Sequence, residues 1–439
     1  MFSPILVMQI LIFMKVTYSS DKVNPFGGIC FIDKLISSSG VSRLIDEHLG
    51  TRGLAAEYSY SDIIKSMWYI TLCGGNCAED INENLKDALS LVKDTKISSA
   101  DTVLRVEKEL ATEKEEHISD SGISHEFNIN MPLNDLMVKI LVHLGMIRKT
   151  NKNLTFDYDN QFIPTEKYDS KKSYKHSDGY FPGIATINNM PVYIENRNGN
   201  SNVKYKQEET LKRAYSLLTK YDIKVKRSRM DCGSFTEAVI EVIAQNSELY
   251  YVRAQRCDNL TEQIRQITDW EEVIIGYKKY QIASIDYAPF GGSKTYRYVI
   301  SREAIKNGQM DCFTQDAFTY RAILTNDYEM SCLEVIEFYN KRGDSERVFD
   351  IMNNDFNWNH LPFSFLHENT VYMIIMAICK NVYQFLIEFI SKRVDFIKPH
   401  FRLKKFIFRF VIVPAKWISR GRQQILKLFS TKPYHLVIQ

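Results

Sequence analysis

The spacing of apolar positions changes once along this chain, near residue 154, and the change divides it. Upstream the apolar residues recur at helical intervals. Ser61-Asp-Ile-Ile-Lys-Ser-Met-Trp-Tyr-Ile-Thr-Leu opens on a residue type that caps helices and stops at Gly74-Gly75, which predicts one helix. A second helix is predicted over 78–92. Ser98-Ser99-Ala100-Asp101 then caps a third over 102–111, with Arg105, Glu107 and Lys108 on its polar face. Residues 132–145 supply a further amphipathic helix. Three short capped helices fit a helix-turn-helix unit and a plain helical subdomain equally well.

From Leu154 the period becomes two. Leu154-Thr-Phe-Asp-Tyr-Asp159 alternates and ends in acids. Gly183-Ile-Ala-Thr-Ile and Pro191-Val-Tyr-Ile-Glu flank Asn188-Asn189, a pair suited to a tight hairpin turn. A helix over 207–221 follows, with Leu211, Ala214, Tyr215 and Leu218 on one face. A short strand at 223–226 runs into Arg229-Met-Asp231-Cys-Gly233, followed by a helix over 236–245 and a strand over 249–254. This order predicts an α/β, ribonuclease-H-like core, in which a hairpin pairs the first strand and the next strand returns beside it. Acids on the first strand and just past the returning strand are then neighbours, and Asp159 and Asp231 hold those places. Residues 258–327 are strand-rich without helical periodicity, which predicts a β insertion inside that core. Helices resume after Asp327 and continue to about residue 390.

At 439 residues two or three domains are expected. The 45% hydrophobic and 25% charged content is that of a soluble globular protein. The net charge of +3 conceals segregation: residues 391–439 carry twelve Lys and Arg against one acid, Asp395, so the rest is net negative. In that tail Phe396, Lys398, Phe401, Arg402, Lys404, Lys405, Phe406, Phe408, Arg409, Trp417, Arg420 and Arg422 interleave bases with aromatics. Phosphate contact is the expectation, ahead of a basic helix on a membrane surface. Eight cysteines are scattered, with only Cys73 and Cys77 close together, which predicts free thiols in a reducing compartment. The apolar stretch from Met1 to Met14 lacks the positively charged start of a signal peptide, and Met14 is the expected natural start. The stretches 371–378 and 406–413 read as too short to span a bilayer.

The candidate chemistry centres on Glu337-Phe-Tyr339-Asn-Lys-Arg342-Gly-Asp-Ser-Glu346. On a continuous helix Tyr339, Arg342 and Glu346 share one face. That face carries a phenol, a guanidinium suited to bidentate phosphate contact and a carboxylate able to hold a divalent metal. Gly343 weakens the helix there. Alone, Asp231 would read as a turn residue and Glu346 as a solvated helix charge; their combination carries the signal.

Tyr339, Arg342 and Glu346 match the Y-x2-R-x3-E part of the Y-R-E-K box of DDE transposases of bacterial insertion sequences. Thr325-Asn-Asp-Tyr-Glu-Met, Phe356-Asn-Trp-Asn-His-Leu-Pro, Phe156-Asp-Tyr-Asp-Asn-Gln-Phe-Ile-Pro, Gly179-Tyr-Phe-Pro-Gly, Ile194-Glu-Asn-Arg-Asn-Gly-Asn and Arg229-Met-Asp-Cys-Gly extend the likeness. Over residues 24–390 the chain resembles the IS thirteen-eighty group of the IS-four-like clan. The resemblance implies an Asp159–Asp231–Glu346 triad holding two Mg²⁺ ions, with Mn²⁺ as a substitute, and Asp157 as the alternative to Asp159. It implies DNA contacts from Tyr339, Arg342 and the place of the box lysine. That place is Asn353 here, which lacks the positive charge. It further implies cleavage at terminal inverted repeats, strand transfer into target DNA, a homodimer on paired ends, no membrane partner, and a cytoplasmic, nucleoid-associated place in a bacterium. The expected division is an apolar extension (1–20), a helical DNA-binding domain (21–150), the catalytic core (151–257 and 328–390), the insertion (258–327) and the basic aromatic tail (391–439). Trp270 in the insertion is expected to pack rather than to stack on a base. The rival functions are an inactive relative that binds DNA ends as a repressor, and a metal-dependent nuclease without strand transfer.

Overall fold

The computed structural model describes residues 16–53, 55–292, 294–305 and 317–439; the stretch from Met1 to Met14 lies outside them. In chain order the strands are β1 (Lys114–Ile118), β2 (Ser124–Asn128), β3 (Thr155–Asn160), β4 (Ile163–Pro164), β5 (Lys171–Lys172), β6 (Asp178–Tyr180), β7 (Gly183–Ile187) and β8 (Met190–Arg197). They continue as β9 (Val225–Met230), β10 (Ser247–Arg253), β11 (Glu271–Ile275), β12 (Lys278–Tyr287), β13 (Tyr296–Ala304), β14 (Phe318–Thr325), β15 (Ala415–Arg420) and β16 (Gln423–Leu428). Eleven of them form one mixed sheet in the order β1-β2-β8-β7-β3-β9-β10-β14-β13-β12-β11. At its centre β3 pairs antiparallel with β7 and parallel with β9, and β9 runs parallel with β10. The β7–β8 turn places Asn188 and Asn189 at φ 49° and 66°, the left-handed conformation that Asn tolerates and a two-residue hairpin demands.

Alternation along β3 sets the layers. Phe156 and Tyr158 enter a core with Tyr215, Leu218 and Ile240, from the helices Gln207–Lys220 and Glu237–Asn246. Asp157 and Asp159 therefore emerge on the opposite face, under the helix Cys332–Asn340. The stretch 258–327 differs from its pattern. It opens with a two-turn helix, Asp258–Arg265, whose buried side is only Leu260 and Ile264, too short a stripe for periodicity to announce. Its strands do not stand apart: β14 pairs antiparallel with β10, so β11–β14 widen the central sheet.

The helices Ile29–Ser38, Val41–Leu49, Tyr60–Leu72 and Ala100–Glu109 share one core with the helix Leu366–Ser391. Tyr60–Leu72 begins one residue before the expected cap: Ser59 and Asp62 form the capping box, and Ser61 hydrogen-bonds Asp46 instead. The helix expected over 78–92 is a π turn, Ile81–Leu85, continued by Lys86–Leu89. Residues 371–378, read as a short stretch, lie inside the 26-residue helix Leu366–Ser391, which by length and apolarity matches a membrane span. Its apolar window is 78% buried inside the protein, against the N-terminal helices and the sheet.

The tail behaves differently from its composition. Phe406, Phe410 and Tyr434 are buried, and Phe31 packs on both Phe410 and Tyr434. Its aromatics at helical spacing serve the core, while Lys404, Lys405, Arg409, Arg420 and Arg422 stay exposed. Asn24 bridges to Ala415, tying the first described segment to the last. All seven described cysteines are free.

Candidate active site

Two neighbouring parallel strands deliver the aspartates. Asp159 sits near the end of β3, and Asp231 follows the last residue of β9. Asp231 caps the turn Cys232–Ser234, its Oδ1 accepting from the Ser234 amide at 3.2 Å. A side chain at Gly233 would come within 3.1 Å of that carboxylate, so glycine leaves the Asp231 oxygens room.

The third element is helical, but not one helix. Cys332–Asn340 ends in a 3-10 turn, Lys341–Gly343, before Asp344–Asp355 begins. Gly343 breaks the wheel on which the three residues were aligned, yet the turn still directs them to one locus. Tyr339 is buried and donates its hydroxyl to the Met230 carbonyl at 3.0 Å, fixing the backbone just before Asp231. Arg342 Nη2 donates to Asp159 Oδ2 at 2.9 Å and lies 4.0 Å from Asp231 Oδ2. Its Nε is buried without a partner. Glu346 is exposed at the start of the next helix, close enough to act on the Asp159 charge. Burial pushes the Asp159 carboxyl up to about 6; Arg342 opposes the shift, and the charges of Asp231 and Glu346 add to it.

Asp157 faces the same way and is differently employed. Its carboxylate takes two bonds from Arg229, Nε at 2.7 Å and Nη2 at 2.8 Å, and both side chains are buried. Arg229 Nη1 donates to the Phe338 carbonyl at 2.9 Å, and the Phe338 ring lies 5.0 Å from the guanidinium. Asn353, at the place of the box lysine, is half-buried with a partnerless Oδ1. Trp270 packs under Arg302 at 3.9 Å and donates its indole N–H to the Ile267 carbonyl. The residue that reasoning from sequence passed over is Arg229. No local signal could have found it, since it meets Asp157 only through the register of the adjacent parallel strand.

The donors of Asp159, Asp231 and Glu346 are all carboxylate oxygens, the ligand type that hard divalent cations take. Among the described residues no three His, Cys, Asp or Glu side chains stand at the spacing of a metal site, and the Arg342 guanidinium lies 2.9 Å from Asp159 and 4.0 Å from Asp231.

A mixed sheet that gathers carboxylates where two adjacent parallel strands end, with a helix-borne glutamate beside them, defines an α/β protein of the acidic-site class. The chain belongs to the transposase DDE domain group 1 family, whose model matches residues 14–439. Among solved structures it matches the cryo-EM structure of a piggyBac transposase synaptic complex with hairpin DNA, at 10% identity over 88% of this chain and 85% of that one, with a TM-score of 0.38. No curated protein matches the chain significantly.

Proposed function

We propose that this transposase-family chain cuts DNA at the ends of a mobile element and joins the freed 3′ ends to target DNA, with Asp159, Asp231 and Glu346 as its catalytic triad. The observation that carries the reading is the convergence of Asp159 and Asp231, at the ends of adjacent strands, on one guanidinium, Arg342, at 2.9 and 4.0 Å, with Glu346 near enough to act on the Asp159 charge. Three carboxylates beside one guanidinium leave net negative charge, which oxygen-seeking divalent cations would balance. The three carboxylates would hold two divalent ions, Mg²⁺ or Mn²⁺. When bound, these supply activation of the attacking oxygen and stabilisation of the leaving one.

The chain's own residues do the rest. Arg342 holds the aspartates while the site is open, and its partnerless Nε is a donor for a phosphate oxygen. Tyr339 positions Asp231 through Met230, and Asn353 offers an uncharged contact at the box lysine's place. Asp157 is fully engaged by Arg229, which favours Asp159 as the first member. The finer reading is a ribonuclease-H-like core of 151–257 and 328–390 widened by 258–327, with DNA-end recognition by the helices of 21–150. Exposed bases on 391–439 add phosphate contacts. It extends to a bacterial element of the IS thirteen-eighty group, a homodimer on paired ends and a nucleoid-associated enzyme.

The test is cleavage of a duplex bearing the element's terminal repeat, with Mg²⁺ and with EDTA, by wild type and Glu346→Gln. Metal-dependent nicking at the repeat boundary that the variant loses while still binding is the expected result. Binding without cleavage by wild type would favour the repressor, and cleavage without joining of a labelled 3′ end the simple nuclease.

A further inference from the structure

The strands β15 and β16 form a two-stranded sheet of their own, outside the eleven-stranded one. Two strands alone are marginal in water, so this hairpin depends on its anchors. One face supplies them. Trp417 and Leu426 stand opposite each other and turn inward: the indole N–H donates to the Leu91 carbonyl at 2.8 Å, and Leu426 packs on the core of the N-terminal helices. Lys93 lies 4.6 Å over the Trp417 ring and donates to the Gln424 side chain at 2.5 Å. At the base, Asn24 and Ala415 exchange backbone hydrogen bonds of 2.8 and 2.9 Å.

The other face turns to solvent. By alternation it carries Lys416 and Lys427, then Ile418 and Ile425, then Arg420 and Gln423 at the far end. Every residue from 419 to 425 is exposed. Gly421, at φ 63°, takes the first of the two turn positions, which leaves Arg422 at the apex beside Arg420. Of the twelve bases in 391–439, ion pairs take up only Arg402, with Asp350 and Asp355, and Lys416, with Asp21, among the described residues. No acid follows Asp395 in the chain. Bare charges at the tip are solvated and cost the fold nothing, but no core, cap or ion pair uses them either. What the fold does is gather them at the end of an anchored arm.

We propose that the β15–β16 hairpin is an arm that lies along duplex DNA, with Arg420, Arg422 and Lys427 on its phosphates. A two-stranded ribbon fits the major groove of a duplex, and forked guanidiniums match phosphate oxygens. Charge selects the polyanion, and the two isoleucines between the bases are too little apolar surface to hold the chain on a membrane. The arm rests on the reading of the chain as a DNA-cutting enzyme. It adds a contact made away from the carboxylates, on phosphates alone and therefore without regard to sequence.

The test is equilibrium binding of a labelled duplex of unrelated sequence to the full chain in EDTA, across a series of salt concentrations. The proteins are wild type, Arg420→Ala/Arg422→Ala, Arg420→Lys/Arg422→Lys, Lys427→Ala, and Lys212→Ala as a control on the helix Gln207–Lys220. Each lost phosphate contact is expected to flatten the log–log salt dependence by about 0.9 and to weaken binding by roughly three- to tenfold near physiological salt. Arg420→Ala/Arg422→Ala should lose about twice that slope, Lys427→Ala about that slope, and Lys212→Ala none. The lysine pair keeps the charge and should hold the slope. All of these side chains are exposed, so melting temperatures should match wild type. Unchanged slopes in the hairpin variants, with wild type still binding, would overturn the arm and leave the proposed function standing. An equal loss in Lys212→Ala would show undirected surface charge and overturn it too. Failure of wild type to bind the duplex at any salt would remove both the arm and the proposed function. Sedimentation with phosphatidylserine vesicles that only the hairpin variants lose, at unchanged duplex binding, would make the arm a membrane contact instead.

Discussion

Asp157 and Asp159 stand two residues apart on β3, on the same side of the pleat, and each faces an arginine. Around Asp157 the account closes: Arg229 meets both carboxylate oxygens, spends its remaining arm on the Phe338 carbonyl, and both side chains are out of water. Around Asp159 it does not. Arg342 offers one close contact and keeps a partnerless Nε, while Asp231 and Glu346 add negative charge. The same pair of residue types is closed off in one place, where every charge is matched, and left open in the other, where charge stays in excess. The first pair also serves the second, because Arg229 docks the end of the helix from which Arg342 emerges.

The widest separation between the two pairs should come from neutralising them. Glu346→Gln and Asp231→Asn are expected to reduce metal-dependent cleavage by roughly a thousandfold or more with melting nearly unchanged, since both side chains are exposed or partly so. Asp157→Asn should do the reverse. Breaking one partner of a buried pair costs about 3–5 kcal/mol, read by urea unfolding, and per folded molecule the metal-dependent chemistry should persist. A thousandfold loss in Asp157→Asn with full stability would invert the assignment and make Asp157 the triad member.

Asp159→Asn sharpens the contrast because it should stabilise. A carboxyl held near 6 in the fold favours its neutral form, so the metal-free protein loses stability as pH rises from about 4 through about 6. Removing the charge should recover on the order of 1–3 kcal/mol at neutral pH, with no such pH dependence left in that window. Added Mg²⁺ should stabilise wild type and not this variant. For the same reason cleavage at fixed metal should fall about tenfold per pH unit below about 6, where the proton competes for the carboxylate. A flat profile down to pH 5 would mean that Asp159 is not among the groups that must ionise.

Much of this was legible in the chain, and the gaps have physical causes. Alternation in Leu154-Thr-Phe-Asp-Tyr-Asp and the Asn188-Asn189 turn announced β3 and its hairpin, because both are local: a period of two and a backbone conformation that few residues tolerate. Asp231 was legible because strand and turn adjoin it. The wheel through Tyr339, Arg342 and Glu346 assumed one continuous helix, whereas Gly343 ends a 3-10 turn that redirects the chain between two helices. What stayed hidden is tertiary. The use of the tail's aromatics as core depends on Phe31, just over four hundred residues away from Tyr434. The pairing of Asp157 with Arg229 depends on the register of two parallel strands, which no local pattern encodes.

The smallest effect tests how the two regions are joined. Tyr339 belongs by sequence to the box that the resemblance assigns to DNA, yet its hydroxyl is buried, pushed up to about 12 chiefly by that burial, and given to the Met230 carbonyl. Tyr339→Phe removes one neutral hydrogen bond and leaves the ring in place, so about 0.5–1.5 kcal/mol of stability should be lost. Met230 leads directly into Asp231, so the freed carbonyl would loosen the second aspartate while Asp159 stays held by its strand. The expected signature is a modest fall in cleavage rate at saturating DNA with affinity for the duplex unchanged, because the phenol positions a carboxylate. A loss of affinity at unchanged rate would instead make Tyr339 a DNA contact, and would require the helix Cys332–Asn340 to shift and expose it when the strand binds.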